Sequence, residues 1–500
     1  MIKRIFFLVL LTKLTLIKMS ILNLKSIKPK AGLLLIASPR FEKIGEGLPE
    51  GTYDTRKRAT VTNIVASLEK DITLVNPGII YTRDDLQKAT DAFLFEKVDF
   101  VIAEFLSWSE DFAWVRFLRD LKEMPVIFVN TVKDKVCFNT TVEENDFVEF
   151  LSAGTLVGTL EAAGSVKRIE RDNVMTVIGN RDEVTKQIIC FSRAAKVRSV
   201  LRKSTFGLLS GFNELMWSTY IDPYNFFVRI GPEIRFLSYS TYAAEIEKIS
   251  DEETSNYLNE LKHLYKVDEG IDEDKFYASV RASLAIARLT VKEGIDAMVF
   301  NDVDPAMFNI IGLRPGFYHP SLNENISVLV PEADMGAATI TYILKLLSGK
   351  SVNFIEPFHI EKEFNTFAGG HAGPNDHTDP VNYSNVVISK DVRFAKTSYK
   401  YAGAPFAWNR ISAGEKTMAQ LVECNGKFKL VCSLVESLEG EHLFASYSHS
   451  IFRPKGDVTR FFEQILAVGT TQHFGIVDGD YRRELNMLSR IMGLDYTEIA

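Results

Sequence analysis

Apolar positions between Pro331 and Gly349 recur at the 3.6-residue period of an amphipathic helix. The positions on this stripe are Met335, Ala338, Thr339, Tyr342, Ile343, Leu346 and Leu347. Asp334 suits the N-cap, because its carboxylate can accept hydrogen bonds from the free amides of the first turn. Gly349 suits the C-terminal stop, since glycine adopts the left-handed backbone found there. The pattern therefore predicts a helix bounded by Asp334 and Gly349.

Three candidate ligand residues lie around this helix. Glu332 comes just before its N-terminus, and a short apolar run over 352–355 ends at Glu356. His371 lies in a glycine-rich stretch, 367–373, whose backbone allows close approach of another group. Two carboxylates and an imidazole form a donor set suited to a divalent cation. At this point a solvated or capping role for Glu332, and an ordinary loop around His371, remain alternatives.

The N-terminal part of the chain alternates short apolar runs with polar, helix-prone segments. The runs are Leu33–Ala37, Ile72–Val75, Phe100–Ala103 and Val126–Val129. This alternation predicts a parallel, doubly wound sheet. Neither GxGxxG nor GxxxxGK[ST] occurs, so nucleotide binding has no motif support. Ligands of such sheets bind beyond the strand C-termini, which makes Pro39-Arg40 and Glu104–Ser109 candidate crevice residues, with ordinary loops as the alternative.

A second α/β segment begins near Thr205, and the character changes to β after Gly349. Strand candidates in the second segment are Phe206–Leu209, Ile234–Leu237 and Ala297–Phe300. Asn425-Gly426 lies between two apolar-rich runs, 417–423 and 428–436, which is a strong signal for a β-hairpin. We predict an α/β fold with two doubly wound parallel-sheet domains followed by a C-terminal β-barrel-like domain.

Length and composition fit several buried cores. Five hundred residues with 46% hydrophobic content imply about three domains of about 150 residues each. The predicted segments are an N-terminal extension over 1–28, α/β domains over 29–203 and 204–350, and a β-rich domain over 351–500. A formal charge of −7 argues against nucleic acid or an anionic membrane as the main partner. The four cysteines have no CxxC spacing, which indicates reduced thiols in a reducing compartment.

The first 18 residues imitate a secretory signal, because Lys3-Arg4 precedes an apolar run over 5–11. Lys13 and Lys18 interrupt the pattern, no small-x-small cleavage site follows, and the run is shorter than the roughly 20 residues of a membrane span. Met19 is an alternative start. We therefore expect a cytoplasmic protein.

The motifs from Pro331 onward resemble those of the L-arabinose isomerase and L-fucose isomerase superfamily. The resemblance rests on Glu332-x-Asp334 before a helix, Glu356 after the next strand, and Gly370-His371. It also includes Gln472-His473 ahead of the segment Gly-Asp-Tyr-Arg-x-Glu-Leu at 479–485. It covers most of the chain in domain order and is weak in the first domain.

The resemblance implies an intramolecular oxidoreductase that interconverts an aldose and its ketose through a metal-stabilised enediol. Glu332, Glu356, His371 and His473 would bind Mn²⁺ or another divalent cation. Such a cation stabilises the charge that develops on two sugar oxygens, while a carboxylate carries the proton between carbons. Our hypothesis is that Glu332 and Glu356 act as this catalytic acid/base pair. The resemblance also implies a homo-oligomer, a hexamer, with active sites completed by a neighbour's first domain.

The chain departs from the arabinose isomerase pattern at three places, one of which is the segment Glu144–Gly158 in place of the family's glycine-rich segment. Gln472 occupies the first position of the tandem histidines of those enzymes, and the first-domain signature is only echoed in Ser107-Trp108-Ser109. The sugar is therefore left open. A sugar-binding protein without catalysis, which uses the cleft between two α/β domains and no metal, is the alternative function.

Overall fold

The computed structural model describes residues 28–135, 143–443 and 446–500. These residues form two compact units, one comprising 28–199 with 486–493, the other 200–485 with 494–500. The N-terminal extension predicted over 1–28 lies almost wholly outside the described residues. Cys137 also lies outside them. The domain boundaries proposed at 203/204 and 350/351 stay predictions.

The first unit contains a parallel sheet in the order β2-β1-β4-β5-β6, with β3 paired to β1. Its strands are β1 (Lys30–Ile36), β2 (Thr73–Val75), β3 (Ile79–Ile80), β4 (Phe100–Phe105), β5 (Val126–Thr131) and β6 (Val174–Gly179). Its helices are α1 (Tyr53–Leu68), α2 (Arg83–Glu96), α3 (Phe112–Asp120), α4 (Glu144–Ala153), α5 (Thr155–Arg168) and α6 (Arg181–Leu201). All residues of β4 are buried, as expected for a parallel sheet covered on both faces. The predicted α/β alternation is confirmed.

The second unit contains one parallel sheet, one small mixed sheet and one antiparallel barrel. Its strands are β7 (Thr205–Leu209), β8 (Glu233–Leu237), β9 (Lys266–Val267), β10 (Ala297–Phe300), β11 (Val328–Val330), β12 (Asn353–Glu361), β13 (Thr366–His371), β14 (Val386–Lys390), β15 (Pro405–Asn409), β16 (Gly414–Cys424), β17 (Lys427–Ser437), β18 (Ser448–Pro454), β19 (Phe474–Asp478) and β20 (Asp495–Ile499). Its helices are α7 (Pro223–Arg229), α8 (Tyr239–Ile246), α9 (Asp251–Leu264), α10 (Glu273–Lys292), α11 (Pro305–Ile310), α12 (Ser321–Glu324), α13 (Met335–Ser348), α14 (Val458–Val468) and α15 (Arg482–Met492). Most of α15 lies within 486–493, which belongs to the first unit.

The parallel sheet of the second unit has the order β11-β10-β7-β8. The small sheet has the order β15-β14-β9. The barrel has the order β16-β19-β12-β13-β18-β17 and closes because β16 also pairs with β17 along their whole length. The predicted fold class, two parallel sheets followed by a β-barrel, is therefore confirmed.

The hairpin that closes the barrel has the predicted turn. Asn425 and Gly426 connect β16 to β17 and have φ values of 54° and 73°. Two successive positive φ angles match the right-handed twist of the flanking strands, and Asn-Gly adopts them at low cost. Local sequence therefore determines the register of this strand pair.

Helix α13 also begins and ends as the apolar pattern predicts. Asp334 accepts a hydrogen bond from the Ala337 amide at 2.8 Å, and Gly349 ends the helix with φ 65°. The helix is buried on nearly every side, and it packs against β19 and β16 of the barrel as well as β10 and β11 of the parallel sheet. It therefore connects the two sheets that meet at the candidate site.

The loop interpretation of the glycine-rich stretch is wrong, because residues 366–371 form strand β13. A Cβ atom at Gly370 would collide with the backbone of Ser448 and with His449 on β18. Gly370 therefore lets β13 and β18 approach closely. His371 is the last residue of β13, so a strand fixes its position.

Two further sequence expectations concern membranes and thiols. No helix in the described part of the chain combines the length and the apolar character needed to cross a membrane. Among the described residues, Cys190, Cys424 and Cys432 carry free thiols.

Candidate metal centre

The fold brings together the four residues that the resemblance implies as metal ligands. Glu332, Glu356, His371 and His473 each offer one ligand atom, and these atoms all lie within 4.8 Å of one another. Three of the residues lie on or next to three neighbouring strands of the barrel, and Glu332 lies in the turn between β11 and α13. A buried group that can hold a metal ion is therefore present.

Barrel register accounts for three of these positions. Strand β12 lies between β13 and β19, with Glu356 paired to Gly370 on one side and Ile355 paired to Phe474 on the other. His371 follows Gly370 directly, and His473 directly precedes Phe474. Adjacent strands therefore deliver one carboxylate and two imidazoles to the same end of the barrel.

Glu332 reaches the site through an unusual turn. Glu332 and Ala333 both have left-handed backbones, with φ values of 62° and 60°, and neither is glycine. Such conformations cost on the order of 1–2 kcal/mol each and persist only where surrounding contacts enforce them. Here the Glu332 amide donates to Asp302 Oδ1 at 3.0 Å, and the Ala333 amide donates to the Phe300 carbonyl at 3.1 Å. The end of β10 therefore holds the turn.

Both carboxylate oxygens of Glu332 face an imidazole. Its Oε1 lies 3.2 Å from His371 Nε2, and its Oε2 lies 3.1 Å from His473 Nε2. Glu356 is slightly farther away, with Oε1 3.5 Å from His473 Nε2 and Oε2 4.0 Å from His371 Nε2. The two imidazole Nε2 atoms therefore point toward the space between the two carboxylates.

A carboxylate outside the cluster orients the ring of His473. Its Nδ1 lies 2.9 Å from Asp334 Oδ2, so Nδ1 carries a proton and Nε2 faces Glu332 and Glu356. Carboxylate–imidazole pairs of this kind fix the tautomer of metal-binding histidines and raise their basicity. Asp334 therefore serves the site as well as the helix that it caps.

His371 has a buried nitrogen without a hydrogen-bond partner. Among the described residues nothing satisfies its Nε2 with acceptable geometry, although Glu332 Oε1 is near. Its Nδ1 accepts a hydrogen bond from the Gly373 amide at 2.8 Å, so in the neutral ring Nε2 carries the proton. Buried polar groups are rarely left unpaired, and an orphaned nitrogen aimed at two carboxylates indicates a missing partner.

Packing and charge keep the site ordered. The Phe354 ring lies 4.6 Å from the His371 ring and 4.7 Å from the His473 ring, measured between centroids. Burial disfavours charge on His473, but its contacts with Asp334, Glu332 and Glu356 outweigh burial and raise the pKa of the ring well above its usual value. Burial likewise disfavours an ionised Glu332, but the two imidazoles lower the pKa of this carboxyl far below its usual value.

Exposure distinguishes the two carboxylates. The side chains of Glu332, His371 and His473 are at most 4% exposed, whereas that of Glu356 is 28% exposed. A ligand from solvent can therefore contact the Glu356 side chain, whereas the Glu332 side chain is almost wholly buried.

The donor set fits a divalent cation. Two carboxylates with two imidazoles suit a borderline cation such as Mn²⁺, and the orphaned Nε2 of His371 supplies a free ligand position. Because Nε2 carries the proton in the neutral ring, cation binding there requires that proton to move to Nδ1, where the Gly373 amide would no longer donate. The four residues would hold the cation.

Two further histidines, His359 and His377, are not members of this cluster. His377 is buried, its Nε2 accepts from the Tyr318 amide, and burial lowers the pKa of the ring to about 4. His359 is half-exposed near Glu361. The predicted crevice residues Arg40 and Glu104–Ser109 belong to the first unit, where Trp108 packs against Arg40.

Three further buried residues support the site. They are Asp302, Arg314 and Asp391, none of which is more than 3% exposed. For Asp302 the sequence offers a signal, because the acids of Asn301–Asp304 follow a predicted strand and could face the cleft, with a capping role before Pro305 as the alternative. The sequence offers no comparable signal for Arg314 or Asp391.

The sequence matches no protein-family model and no curated protein. Assignment to the L-arabinose and L-fucose isomerase superfamily therefore stays a prediction.

Proposed function

We propose that this protein is a metal-dependent isomerase that interconverts an aldose and its ketose. The observation that supports the proposal best is the convergence of Glu332, Glu356, His371 and His473 within 4.8 Å, with one carboxylate open to solvent. Mn²⁺ is the proposed cation, because the mixed carboxylate–imidazole set suits it.

A bound divalent cation supplies electrostatic stabilisation for the negative charge that develops on two neighbouring sugar oxygens. The protein's own residues must then move a proton between adjacent carbons. Glu356 suits this task, because its side chain is 28% exposed and is therefore accessible to a substrate that enters from solvent. A carboxylate with one oxygen free can remove a proton from one carbon and return it to the next.

Glu332 has a different environment. Each of its oxygens faces an imidazole at 3.1–3.2 Å, and the side chain is only 4% exposed. Its main task in the proposed site is to hold the cation together with the two histidines. Its role as the second member of the acid/base pair stays a prediction.

The histidines have supporting tasks. Asp334 keeps the proton of His473 on Nδ1, so Nε2 is directed at the cation site. Phe354 packs against both rings and limits their rotation. This preorganisation keeps the donor atoms in place before substrate arrives.

The remaining parts of the proposal concern substrate and assembly. We propose a free monosaccharide as substrate, a cytoplasmic location, and a homo-oligomer, with a hexamer as the first expectation. Light scattering of the active protein tests the assembly, and a stable active monomer would contradict it.

One experiment tests the function. The protein is stripped with EDTA, reloaded with Mn²⁺, Co²⁺ or Mg²⁺, and incubated with pentoses and 6-deoxyhexoses, after which ketose is measured. We expect no ketose without a cation and restored ketose formation with Mn²⁺.

His473→Ala should lower both metal content and ketose formation, whereas His263→Ala, at an exposed helix position, is the matched control. Full activity after EDTA treatment would overturn the metal requirement. Sugar binding without any divalent cation or ketose product would favour the non-catalytic sugar-binding alternative.

A further inference from the structure

One guanidinium lies fully buried between two carboxylates beside the candidate metal centre. Arg314 is 1% exposed, and its Nη1 donates to Asp302 Oδ2 at 3.0 Å. Its Nε and Nη2 both donate to Asp391 Oδ2, at 3.1 Å and 2.7 Å. The rings of Phe406 and Phe394 lie 4.7 Å and 5.1 Å from its guanidinium carbon. This group therefore has a single fixed orientation.

On one side, the Arg314–Asp302 pair contacts the backbone of Glu332. Asp302 Oδ2 accepts a hydrogen bond from Arg314 Nη1, and Asp302 Oδ1 accepts one from the Glu332 amide at 3.0 Å. That amide belongs to the turn with two successive left-handed residues. Because this backbone is strained, the contact at Asp302 is one of the few that keep the Glu332 carboxylate in the site.

On the other side, the same guanidinium reaches the backbone next to His371. Arg314 Nη2 donates to the Ala372 carbonyl at 2.9 Å. Ala372 directly follows His371, the last residue of β13. A single side chain therefore connects the turn that carries Glu332 with the strand end that carries His371, through one carboxylate and one direct hydrogen bond.

We infer that Arg314 is a positioning residue that sets the spacing between Glu332 and His371 in the metal centre. The inference rests on the proposed function. Only a planar guanidinium can contact Asp302, Asp391 and the Ala372 carbonyl at once; a lysine ammonium has no fixed fork of donors. A buried ion pair is in itself weak evidence for stability, because desolvation offsets much of its attraction. Its contacts to both ligand-bearing segments favour a geometric role.

The test measures cation binding directly and does not depend on turnover. Wild type, Arg314→Lys and Arg410→Lys are titrated with Mn²⁺ by calorimetry, and their Co²⁺-loaded forms are compared by visible absorption. Arg410 is the matched control, because it is also buried and donates to a backbone carbonyl, that of Leu438 at 2.7 Å, without contacting a ligand residue or Arg314's partners. We expect Arg314→Lys to weaken Mn²⁺ binding about tenfold or more and to alter the Co²⁺ spectrum.

A second pair of variants keeps the inference testable if Arg314→Lys does not fold. Asp302→Asn retains an oxygen that can accept from the Glu332 amide, whereas Asp302→Ala does not, so the Asn variant should bind Mn²⁺ more tightly. Unchanged affinity and spectrum in Arg314→Lys, or equal affinity in the two Asp302 variants, would overturn the positioning role alone. A folded wild type that binds neither cation would overturn the metal centre and this inference with it.

Discussion

The carboxylate of Asp334 contacts both a helix N-terminus and the ring of His473. Its Oδ1 accepts from the Ala337 amide at 2.8 Å, and its Oδ2 lies 2.9 Å from His473 Nδ1. A residue recognised as a helix cap therefore also fixes the tautomer of a candidate metal ligand that lies 139 residues away in sequence. The position of helix α13 and the orientation of His473 depend on the same side chain.

Asp334→Asn separates these two tasks. The amide oxygen still caps α13, but the negative charge that makes His473 a better ligand is lost. The amide nitrogen cannot accept from His473 Nδ1, so the free energy of unfolding should also fall, by about 1–3 kcal/mol. We expect Mn²⁺ affinity to fall about tenfold or more. Calorimetric titration measures the affinity, and denaturant unfolding measures the stability.

Asp457→Asn is the control for the capping effect. Asp457 caps α14 by accepting from the Arg460 amide at 2.9 Å, and it does not contact the four ligand residues. Equal Mn²⁺ affinities in Asp334→Asn and Asp457→Asn would contradict the orienting role of Asp334.

Cation binding should become tighter as the pH rises. The carboxylates around His473 raise the pKa of its ring well above the usual value, so the metal-free site holds a proton there at neutral pH. A cation competes with that proton, and for each proton released the affinity rises about tenfold per pH unit until the pH passes the raised pKa. Titrations in buffers of different ionisation enthalpy count the released protons. A pH-independent affinity with no proton release between about pH 6 and 8 would contradict this coupling.

The sequence predicts those parts of the fold whose causes are local. Helix α13 is recognisable because Asp334 and Gly349 act on adjacent backbone groups, and the hairpin at Asn425-Gly426 because the turn itself needs positive φ. The parallel sheets follow from alternating apolar runs, since strands buried on both faces contain few polar residues.

Strand β13 could not be recognised in this way. Two consecutive glycines normally indicate a loop, and their reason here is the close approach of β18, a neighbour more than 70 residues later in the chain. Pairing with such a distant strand has no local signature. The physical cause of Gly370 therefore lies in tertiary packing.

The site itself was predicted unevenly. Glu332, Glu356 and His371 could be proposed from their positions next to a helix and two strands, whereas His473 came from the family resemblance. Arg314 and Asp391 could not be proposed, because a buried arginine has the same sequence appearance as a surface arginine. Their roles depend on charges that meet only in the folded chain.

Gly370→Ala should destabilise the protein and weaken metal binding together. The added methyl group would collide with the backbone of Ser448, which cannot move without shifting β18. We expect a loss of about 1–3 kcal/mol in the free energy of unfolding. His371 is the next residue, so its displacement should also lower Mn²⁺ affinity.

Gly164→Ala is the matched control. A Cβ atom at Gly164 meets nothing within 4 Å, and the residue lies inside helix α5. Alanine there should stabilise the protein by about 0.5–1 kcal/mol and leave the metal affinity unchanged. Wild-type stability in Gly370→Ala would show that the two strands can separate without cost.

The two candidate catalytic carboxylates should respond differently to replacement by glutamine. Glu356→Gln keeps the size of the exposed side chain but removes its ability to carry a proton, so kcat should fall about 10²-fold or more while much of the cation binding remains. Glu332→Gln removes the carboxylate that faces both imidazoles, so it should mainly lower Mn²⁺ affinity. Glu361→Gln, at an exposed position on the same strand as Glu356, is the control.

Solvent deuterium should enter the substrate carbon in the wild type if the proton exchanges during the enediol's lifetime. Wild-type kcat in Glu356→Gln would contradict its assignment as the proton carrier, and unaltered Mn²⁺ affinity in Glu332→Gln would contradict its assignment as a ligand.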